Sequence, residues 1–465
     1  MTKNDNLDHI DMSKEADKLE LSSRQNDMVE GRREAADEKL TRRGFFKKFS
    51  ALGISAAASA SVLSPMNLKA DDPAIMEEMP WGTKLGDPVT KNLYGIPSAY
   101  EHNNVRRTTD LLSSGDMYAS ISMCPIHESE GIITPNGLFF TRNHGGTAHV
   151  DPNEFRLMIH GKVKREVVLT LDDLKKYPSE TRIHFIECPA NGSPEWRQPQ
   201  FNNLQFLKGM MSSAAWTGVM LKTVLEDIGL EKDAVWMMAE GCDNAGNPRT
   251  LPVEKALDDA MLVWGQNGEA LRPEQGYPLR LLVPGWEGNL NTKWLKRLEF
   301  SDKPWHSKEE TSKYTMLQKD GRAIQYFWPN EVNSVITSPC PEKPWTHLKK
   351  GDMVEIEGIA WSGHGTITNV DISFDGGDNW VEANLKGLVL PKSWTRFNYI
   401  YKWDGKPILL ASRAVDDINN VQPTIDEETS KVGVESVYHR NAIMTWEVTA
   451  KGEVNNVHIR KHHKA

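Results

Sequence analysis

The sequence is poor in cysteine, carries no excess of positive charge and contains no long apolar run. Four cysteines in 465 residues, none of them in a Cys-x-x-Cys pair, are too few and too scattered for a disulfide scaffold or a cysteine-rich zinc site. A formal net charge of -9, from 55 basic and 64 acidic residues, leaves no basic stripe for a phosphate backbone, so we expect no nucleic-acid partner. No stretch reaches the roughly 20 apolar residues that span a bilayer, so we expect no membrane span.

The N-terminal 70 residues are typical of a leader. Residues 1–40 are mostly charged or small and polar, with few aromatic or β-branched side chains, so we expect them to be disordered. In residues 41–70, Arg42 and Arg43 precede a short Ala- and Ser-rich apolar run that ends at Ala70. This is the twin-arginine pattern of bacterial export signals, and the alternative is a surface basic pair beside a short amphipathic helix. The pattern predicts export to the periplasm in the folded state, the route of many proteins that first acquire a complex cofactor.

Two regions of different character follow. Between 71 and 325, alternating strand patterns such as 182–187 interleave with short helical patterns, which predicts an α+β domain. Between 326 and 465, strands such as 354–361 are separated by turns, which predicts a β-sandwich of the immunoglobulin type. Helices are predicted at 170–177, where Thr170 and Asp173 form a capping box, at 221–228 and at 253–257.

Cys188 is the first candidate for chemistry. It ends an alternating strand and precedes the turn residues Pro189 to Gly192, so its thiolate is presented where it could reach a metal. A lone cysteine on a strand is more often a packing residue, and only the other candidate residues in the sequence favour metal ligation. These candidates include Arg142, Asn143 and His144, which offer a cation, an amide and an imidazole that can bind a polyanion.

Five segments in this order resemble the sulfite oxidase family of molybdopterin enzymes over roughly residues 90 to 450. They are Phe140-Thr141-Arg142-Asn143-His144, Cys188, Trp216-Thr217-Gly218-Val219, Leu279-Arg280-Leu281-Leu282-Val283-Pro284-Gly285 and Asn291-Thr292-Lys293-Trp294-Leu295. Within the family, the sequence around His144 and Gly192 is most similar to that of the molybdenum subunits of sulfane dehydrogenases.

The resemblance implies one molybdenum–molybdopterin per chain, with Cys188 as the metal ligand. It implies that the pterin is bound by Phe140, Arg142, Asn143, His144, Asp243, Gln275, Arg280, Asn291, Thr292 and Lys293. Gln275 departs from the family, because many relatives have a histidine there. Arg142, Tyr314 and Arg413 are the implied catalytic side chains around Cys188. Tyr314 is placed by its spacing from Lys293, and Arg413 by the segment Ser412-Arg413-Ala414-Val415-Asp416.

The implied activity is oxidation of sulfane sulfur on a carrier protein, with a dihaem cytochrome c subunit as acceptor, in a homodimer or heterotetramer. We expect no haem in this chain, since no His-Pro-Gly-Gly signature occurs. Animal and plant sulfite oxidases have two arginines after the cysteine, whereas residues 191–194 here have none, which weakens a site for free sulfite. The alternatives are a sulfite dehydrogenase, a periplasmic molybdopterin reductase of the methionine sulfoxide or nitrate type, and a binding protein that has lost the metal.

Overall fold

The structure, a computed structural model, describes Leu85, residues 88–108 and residues 120–460. The predicted disordered leader, the twin-arginine pattern and its cleavage site at Ala70 lie outside these residues. No helix in the described part is long and apolar enough to cross a membrane.

Short strands and helices alternate in the first half, as the sequence predicts for an α+β domain. The strands are β1 Ser120–Ser122, β2 Thr141–Asn143, β3 Leu157–Gly161, β4 Val167–Leu169, β5 Ser179–Glu187, β6 Met211–Met220, β7 Trp236–Gly241, β8 Arg249–Pro252, β9 Met261–Gln266, β10 Glu269–Ala270, β11 Arg280–Leu282, β12 Leu295–Ser301, β13 Thr315–Leu317 and β14 Ala323–Gln325. The helices are α1 Leu171–Leu174, α2 Leu204–Lys208, α3 Leu221–Ile228, α4 Val253–Asp258 and α5 Lys308–Ser312.

Two five-stranded sheets organise this half. One has the order β10-β9-β6-β5, with β11 also paired to β9, and the other has the order β4-β3-β12-β7-β8. In the second sheet β12 runs parallel to β3, and its other pairings are antiparallel. Strand β2 pairs with β1 in a separate two-stranded sheet, and the end of β2, the end of β5 and the loop after β11 line one cavity.

The predicted helices form where their residue patterns favour them. In α3, Leu221, Val224, Leu225 and Ile228 are buried, which is the i, i+3, i+4, i+7 face of an amphipathic helix. Helix α1 begins after Thr170, whose hydroxyl oxygen accepts a hydrogen bond from the Asp173 backbone N–H. The Asp173 carboxylate in turn accepts from the Thr170 backbone N–H. The predicted helices at 170–177, 221–228 and 253–257 are therefore confirmed, the first with its capping box and a shorter extent.

The second half is a sandwich of two antiparallel sheets, as predicted. The strands are β15 Asn333–Ser338, β16 Met353–Trp361, β17 Ile367–Ser373, β18 Val381–Glu382, β19 Asn384–Lys386, β20 Thr395–Lys402, β21 Ile408–Asp416, β22 Thr445–Val448 and β23 Val454–Val457, with helix α6 Ile425–Val432 before β22. The sheet orders are β15-β16-β20-β19 and β18-β17-β21-β22-β23. Trp446 Nε1 of one sheet donates to the Ile336 carbonyl of the other at 3.0 Å.

One apolar core continues from the first half into the sandwich. It contains Phe185 and Ile186 of β5 together with Trp361 of β16 and Ile367 of β17. Trp361 Nε1 also donates to Glu187 Oε2 at 2.7 Å, and all atoms of this contact are buried. The predicted domain boundary at 325/326 stays a prediction, but the strand that ends at Cys188 is packed directly against the second half.

Candidate active site

Cys188 lies immediately after β5, and the turn that follows it is held by side chains on both sides. The Cys188 backbone N–H donates to the Met210 carbonyl at 3.0 Å. Asn191 Nδ2 donates to Glu187 Oε1 at 2.9 Å, and Asn191 Oδ1 accepts from the Met210 backbone at 3.2 Å. The half-buried cysteine is thus fixed at the strand end, as the sequence predicts. Burial raises the pKa of its thiol to about 11, and the nearby Arg142 opposes that shift.

Twelve of the thirteen predicted site residues line two adjoining cavities beside Cys188. These residues are Phe140, Arg142, Asn143, His144, Cys188, Asp243, Gln275, Arg280, Asn291, Thr292, Lys293 and Tyr314. They come from β2 and the residues that flank it, from the end of β5, from the loop after β7, from the segment 275–293 and, for Tyr314, from the residue before β13. The thirteenth, Arg413, lies elsewhere.

Of the cavity cations, Arg280 is buried and Lys293 is partly buried. Burial lowers the pKa of Lys293 to about 7, and the neighbouring Arg280 lowers it further. Burial also lowers the pKa of Arg280 to about 9. A buried positive charge is costly unless an anion compensates it. Asp243 and then Glu274 are the acidic groups whose charges favour the protonated Lys293, and two carboxylates do not balance the three cations Lys293, Arg280 and Arg142. The cavity is therefore suited to an anionic ligand.

Several polar atoms of the cavity wall have no hydrogen-bond partner among the described residues. They are Arg280 Nε, Thr292 Oγ1, Asn247 Oδ1 and Asn289 Oδ1. Lys293 Nζ, in contrast, already donates to the Arg142 carbonyl at 3.2 Å, to the Glu274 carbonyl at 3.0 Å and to Asn143 Oδ1. The unpaired donors and acceptors are available to a polar ligand, which adds to the electrostatic argument.

Other predicted residues shape the cavity wall. Gln275 Nε2 donates to the Phe140 carbonyl at 2.9 Å. The backbone carbonyl and the side-chain Oε1 of Gln275 accept from Arg280 Nη1 at 3.1 and 3.3 Å. Asn291 Oδ1 accepts from the Val283 backbone at 2.7 Å, and its Nδ2 donates to the Glu287 carbonyl at 3.0 Å. The amides of Gln275 and Asn291 are therefore largely occupied in holding Arg280 and the 283–291 loop.

Gly288 brings that loop against the cysteine. A Cβ at this position would lie 2.8 Å from the Glu187 carbonyl oxygen and 3.3 Å from Cys188 Cα. Only glycine permits so close an approach of the two backbones. This contact sets the width of the cavity next to the thiol.

A tyrosine and a histidine face each other at the same cavity. Tyr314 Oη lies 3.0 Å from His144 Nε2. Burial lowers the pKa of His144 to about 4, and Arg142 adds to that shift, so this imidazole is neutral at neutral pH. The Tyr314 ring also stacks on Tyr438, with ring centroids 5.6 Å apart. Burial raises the pKa of Tyr314, so its hydroxyl keeps its proton.

The structure does not bring Arg413 to this cavity. It lies on β21, where it is the cross-strand neighbour of Asp371 on β17. Its Nη2 donates to Asp371 Oδ2 at 2.7 Å, and its guanidinium lies 4.4 Å from the centre of the Trp380 ring. These two contacts hold it at a separate cavity of the sandwich. The segment of the second half that reaches the cysteine is instead 438–440, where the His439 backbone donates to the Pro189 carbonyl at 2.7 Å.

The sequence reasoning missed several residues near the cavity. Asn247 and Asn289 line both cavities, and Tyr438 stacks on Tyr314. Asn247 follows Asp243 in a short polar loop after a strand, a signal that could have been used. Tyr438 is separated from Tyr314 by more than a hundred residues, so no local pattern indicates it.

Residues 144–309 match the oxidoreductase molybdopterin binding domain, and residues 325–446 match the Mo-co oxidoreductase dimerisation domain. The order of the two domains confirms the predicted fold class.

A solved structure and two sequence relatives extend the match. The crystal structure of the sulfane dehydrogenase SoxCD from Paracoccus pantotrophus is 45% identical, with a TM-score of 0.81, and the match covers 84% of this chain and 100% of that one. Mitochondrial sulfite oxidase of Rattus norvegicus is 30% identical over 325 residues, 63% of this chain and 58% of the relative. Sulfite oxidase of Gallus gallus is 30% identical over 323 residues, 63% of this chain and 69% of the relative. The chain therefore spans 58% of the rat enzyme's length.

Proposed function

Because the chain belongs to the sulfite oxidase family of molybdopterin oxidoreductases, we propose that it is the molybdenum subunit of a sulfane dehydrogenase. In this proposal it oxidises sulfane sulfur carried as a persulfide on a partner protein and passes the electrons to a c-type cytochrome. The observation that carries the proposal is the 45% identity to a sulfane dehydrogenase over that chain's whole length. The identity to the rat and chicken sulfite oxidases is 30%.

The cavity residues fit a molybdenum–molybdopterin, one per chain. The buried Arg280 and the partly buried Lys293 are cations that would compensate the phosphate charge. Thr292 Oγ1 and Arg280 Nε are unpaired within the described part of the chain and could bind polar atoms of the pterin. Cys188 would be the protein ligand of molybdenum. When bound, the group supplies two-electron redox chemistry at sulfur, while the protein supplies binding and orientation.

The remaining cavity residues would act on the substrate. Arg142 lines the cavity with Cys188 and would stabilise negative charge that develops on the oxidised sulfur. The Tyr314 hydroxyl would accept a hydrogen bond from the neutral His144 protonated at Nε2 and would then donate its own proton to a sulfur-bound oxygen. Arg413, at its separate cavity, has no such part in this proposal.

A carrier-bound substrate is favoured over free sulfite by the charge around the thiol. The turn after Cys188 consists of Asn191, Gly192, Ser193 and Pro194, which carry no charge. A small dianion gains most from several fixed cations, whereas sulfur on a carrier is positioned by the carrier's own contacts. A sulfite dehydrogenase is the second candidate, since the same cofactor would serve both reactions.

We further propose that the chain is exported to the periplasm by the twin-arginine route and works there with a dihaem cytochrome c subunit. The matched dimerisation domain favours an oligomer, as a homodimer or a heterotetramer with the cytochrome. The electron acceptor belongs to the same proposal.

The test is cytochrome c reduction by the purified protein, with its molybdenum content measured in parallel. Sulfite alone is compared with thiosulfate plus sulfur-carrier protein and the dihaem subunit. Reduction only in the reconstituted mixture supports a sulfane dehydrogenase, and rapid reduction by sulfite alone supports a sulfite dehydrogenase. Cys188→Ser should abolish turnover. Cys340→Ser, which changes a buried thiol of the sandwich, should retain molybdenum and is the matched control.

A further inference from the structure

A buried ion cluster contacts the tyrosine of the cavity. Arg249 and Glu287 have side chains that are 2% and 1% exposed, and Arg249 Nη2 lies 3.3 Å from Glu287 Oε2. The other oxygen, Glu287 Oε1, lies 2.8 Å from His439 Nε2. The cluster joins strand β8, the loop that carries Gly288 and the segment 438–440 of the second half. Three distant parts of the chain therefore meet at one carboxylate.

Only one nitrogen of the Arg249 guanidinium, Nη2, contacts Glu287 in this cluster. Its Nε and Nη1 have no partner in the described part of the chain. Its Cζ lies 4.5 Å from the centre of the Tyr314 ring, which is the geometry of a cation–π contact. A buried arginine that served stability alone would be expected to satisfy more of its donors. The position of this guanidinium is better explained by the ring it contacts.

The contact with Tyr314 leads to the cavity. Tyr314 lines the cavity with Cys188 and Arg142, and its hydroxyl lies 3.0 Å from His144 Nε2. A ring that rotates about its side-chain bonds moves its hydroxyl by far more than its centre. A fixed planar cation against the ring therefore restricts where the hydroxyl can lie.

We propose that Arg249, held by Glu287, is a positioning residue for Tyr314 and keeps the tyrosine hydroxyl at His144 in the cavity. The inference rests on the proposed function only in taking Tyr314 as part of the reaction site. It assigns a task to a buried ion pair that neither the motifs nor the cofactor cavity include.

The experiment is a double-mutant cycle with Arg249→Met and Tyr314→Phe. Arg249→Met removes the planar cation at similar length, and Tyr314→Phe removes the hydroxyl but keeps the ring. We expect Arg249→Met to lower kcat on the order of 10- to 100-fold with molybdenum content unchanged. In the Tyr314→Phe background the same change should lower kcat by less than about twofold, since the hydroxyl it positions is gone. Arg249→Lys, which returns the charge but not the planar group, should recover part of the loss.

The control is Lys255→Met. Lys255 is also a buried cation with a carboxylate partner, Asp259 at 2.6 Å, and an aromatic contact, Trp286 at 5.1 Å, but it does not line the cavity. Its loss should lower stability and leave kcat within about twofold of the parent.

Two results would overturn the proposal. One is independent, multiplicative losses from Arg249→Met and Tyr314→Phe. The other does not depend on activity: a crystal structure of the Arg249→Met or Arg249→Leu protein in which Tyr314 Oη stays within hydrogen-bond distance of His144 Nε2, about 3.5 Å or less. The cycle is measured with whichever sulfur substrate the parent protein oxidises. A parent that prefers sulfite would contradict the proposed function and leave the cycle interpretable.

Discussion

Trp361 connects the β-sandwich to the strand that ends at Cys188 through one buried hydrogen bond. Its Nε1 donates to Glu187 Oε2 at 2.7 Å, and the other carboxylate oxygen accepts from Asn191 Nδ2 at 2.9 Å. Trp361→Phe keeps a large apolar ring and removes only the donor with part of the ring volume. Glu187 would then have one oxygen buried without a partner.

The expected cost follows from the burial of both groups. Trp361 and Glu187 are 0% and 6% exposed, so water cannot readily replace the lost donor. Leaving a buried acceptor without its donor costs about 1–3 kcal/mol, and the smaller ring adds a packing cost on the order of 1 kcal/mol. We therefore expect Trp361→Phe to lower the free energy of unfolding by about 3 kcal/mol.

Urea unfolding followed by far-ultraviolet circular dichroism measures the change. Trp394→Phe is the matched control, because Trp394 is also 0% exposed. Its Nε1 has no hydrogen-bond partner among the described residues. The two variants share the packing cost and differ in the hydrogen bond, so their difference should be about 2 kcal/mol. A difference below about 0.5 kcal/mol would refute the reasoning.

Two further predictions concern the surroundings of the cysteine. Gly288→Ala should lower molybdenum content and turnover, since a Cβ would lie 2.8 Å from the Glu187 carbonyl; metal analysis of the purified variant checks this, and full loading would contradict it. Hydrogen bonds from His458 and Asn456 hold the pKa of Glu195 below its ordinary value of 4.5, although burial acts to raise it. This carboxylate therefore stabilises the fold above that value, and its contribution is lost as pH falls through the lower folded pKa. In urea unfolding, Glu195→Gln should cost a constant amount of stability from pH 7 down to about pH 4.5 and progressively less below that value. An equal cost at pH 7 and at about pH 3 would contradict the sign.

Local features of this protein could be predicted because they depend on neighbours in the chain. The strand before Cys188, helix α3 and the capping box of Thr170 each follow from the spacing of a few residues. The cavity residues were found through the order of short motifs, and the structure gathers them although they are far apart in sequence. The cations among them could be named, but the burial that shifts the pKa of Lys293 could not.

Contacts between the two halves could not be predicted in this way. Arg413 was selected from a motif, but the register of β21 with β17 pairs it with Asp371 and turns it away from the cavity. Tyr438 and His439 reach the cavity region from a segment with no motif at all. A strand register and the path of a long loop are set by tertiary packing, which the periodicity of a single segment does not encode.

The contacts of Glu187 with Trp361 and of Glu287 with His439 have a consequence for protein engineering. A truncated chain that ended before the sandwich would lack Trp361 and His439. Glu187 and Glu287, the two carboxylates beside the cysteine, would then lose these hydrogen-bond partners. Exchanging the sandwich for that of a relative would succeed only if the incoming domain supplied a donor at each of these two positions. The two halves are therefore expected to be inherited and exchanged as one unit, whatever the length of the loop that joins them.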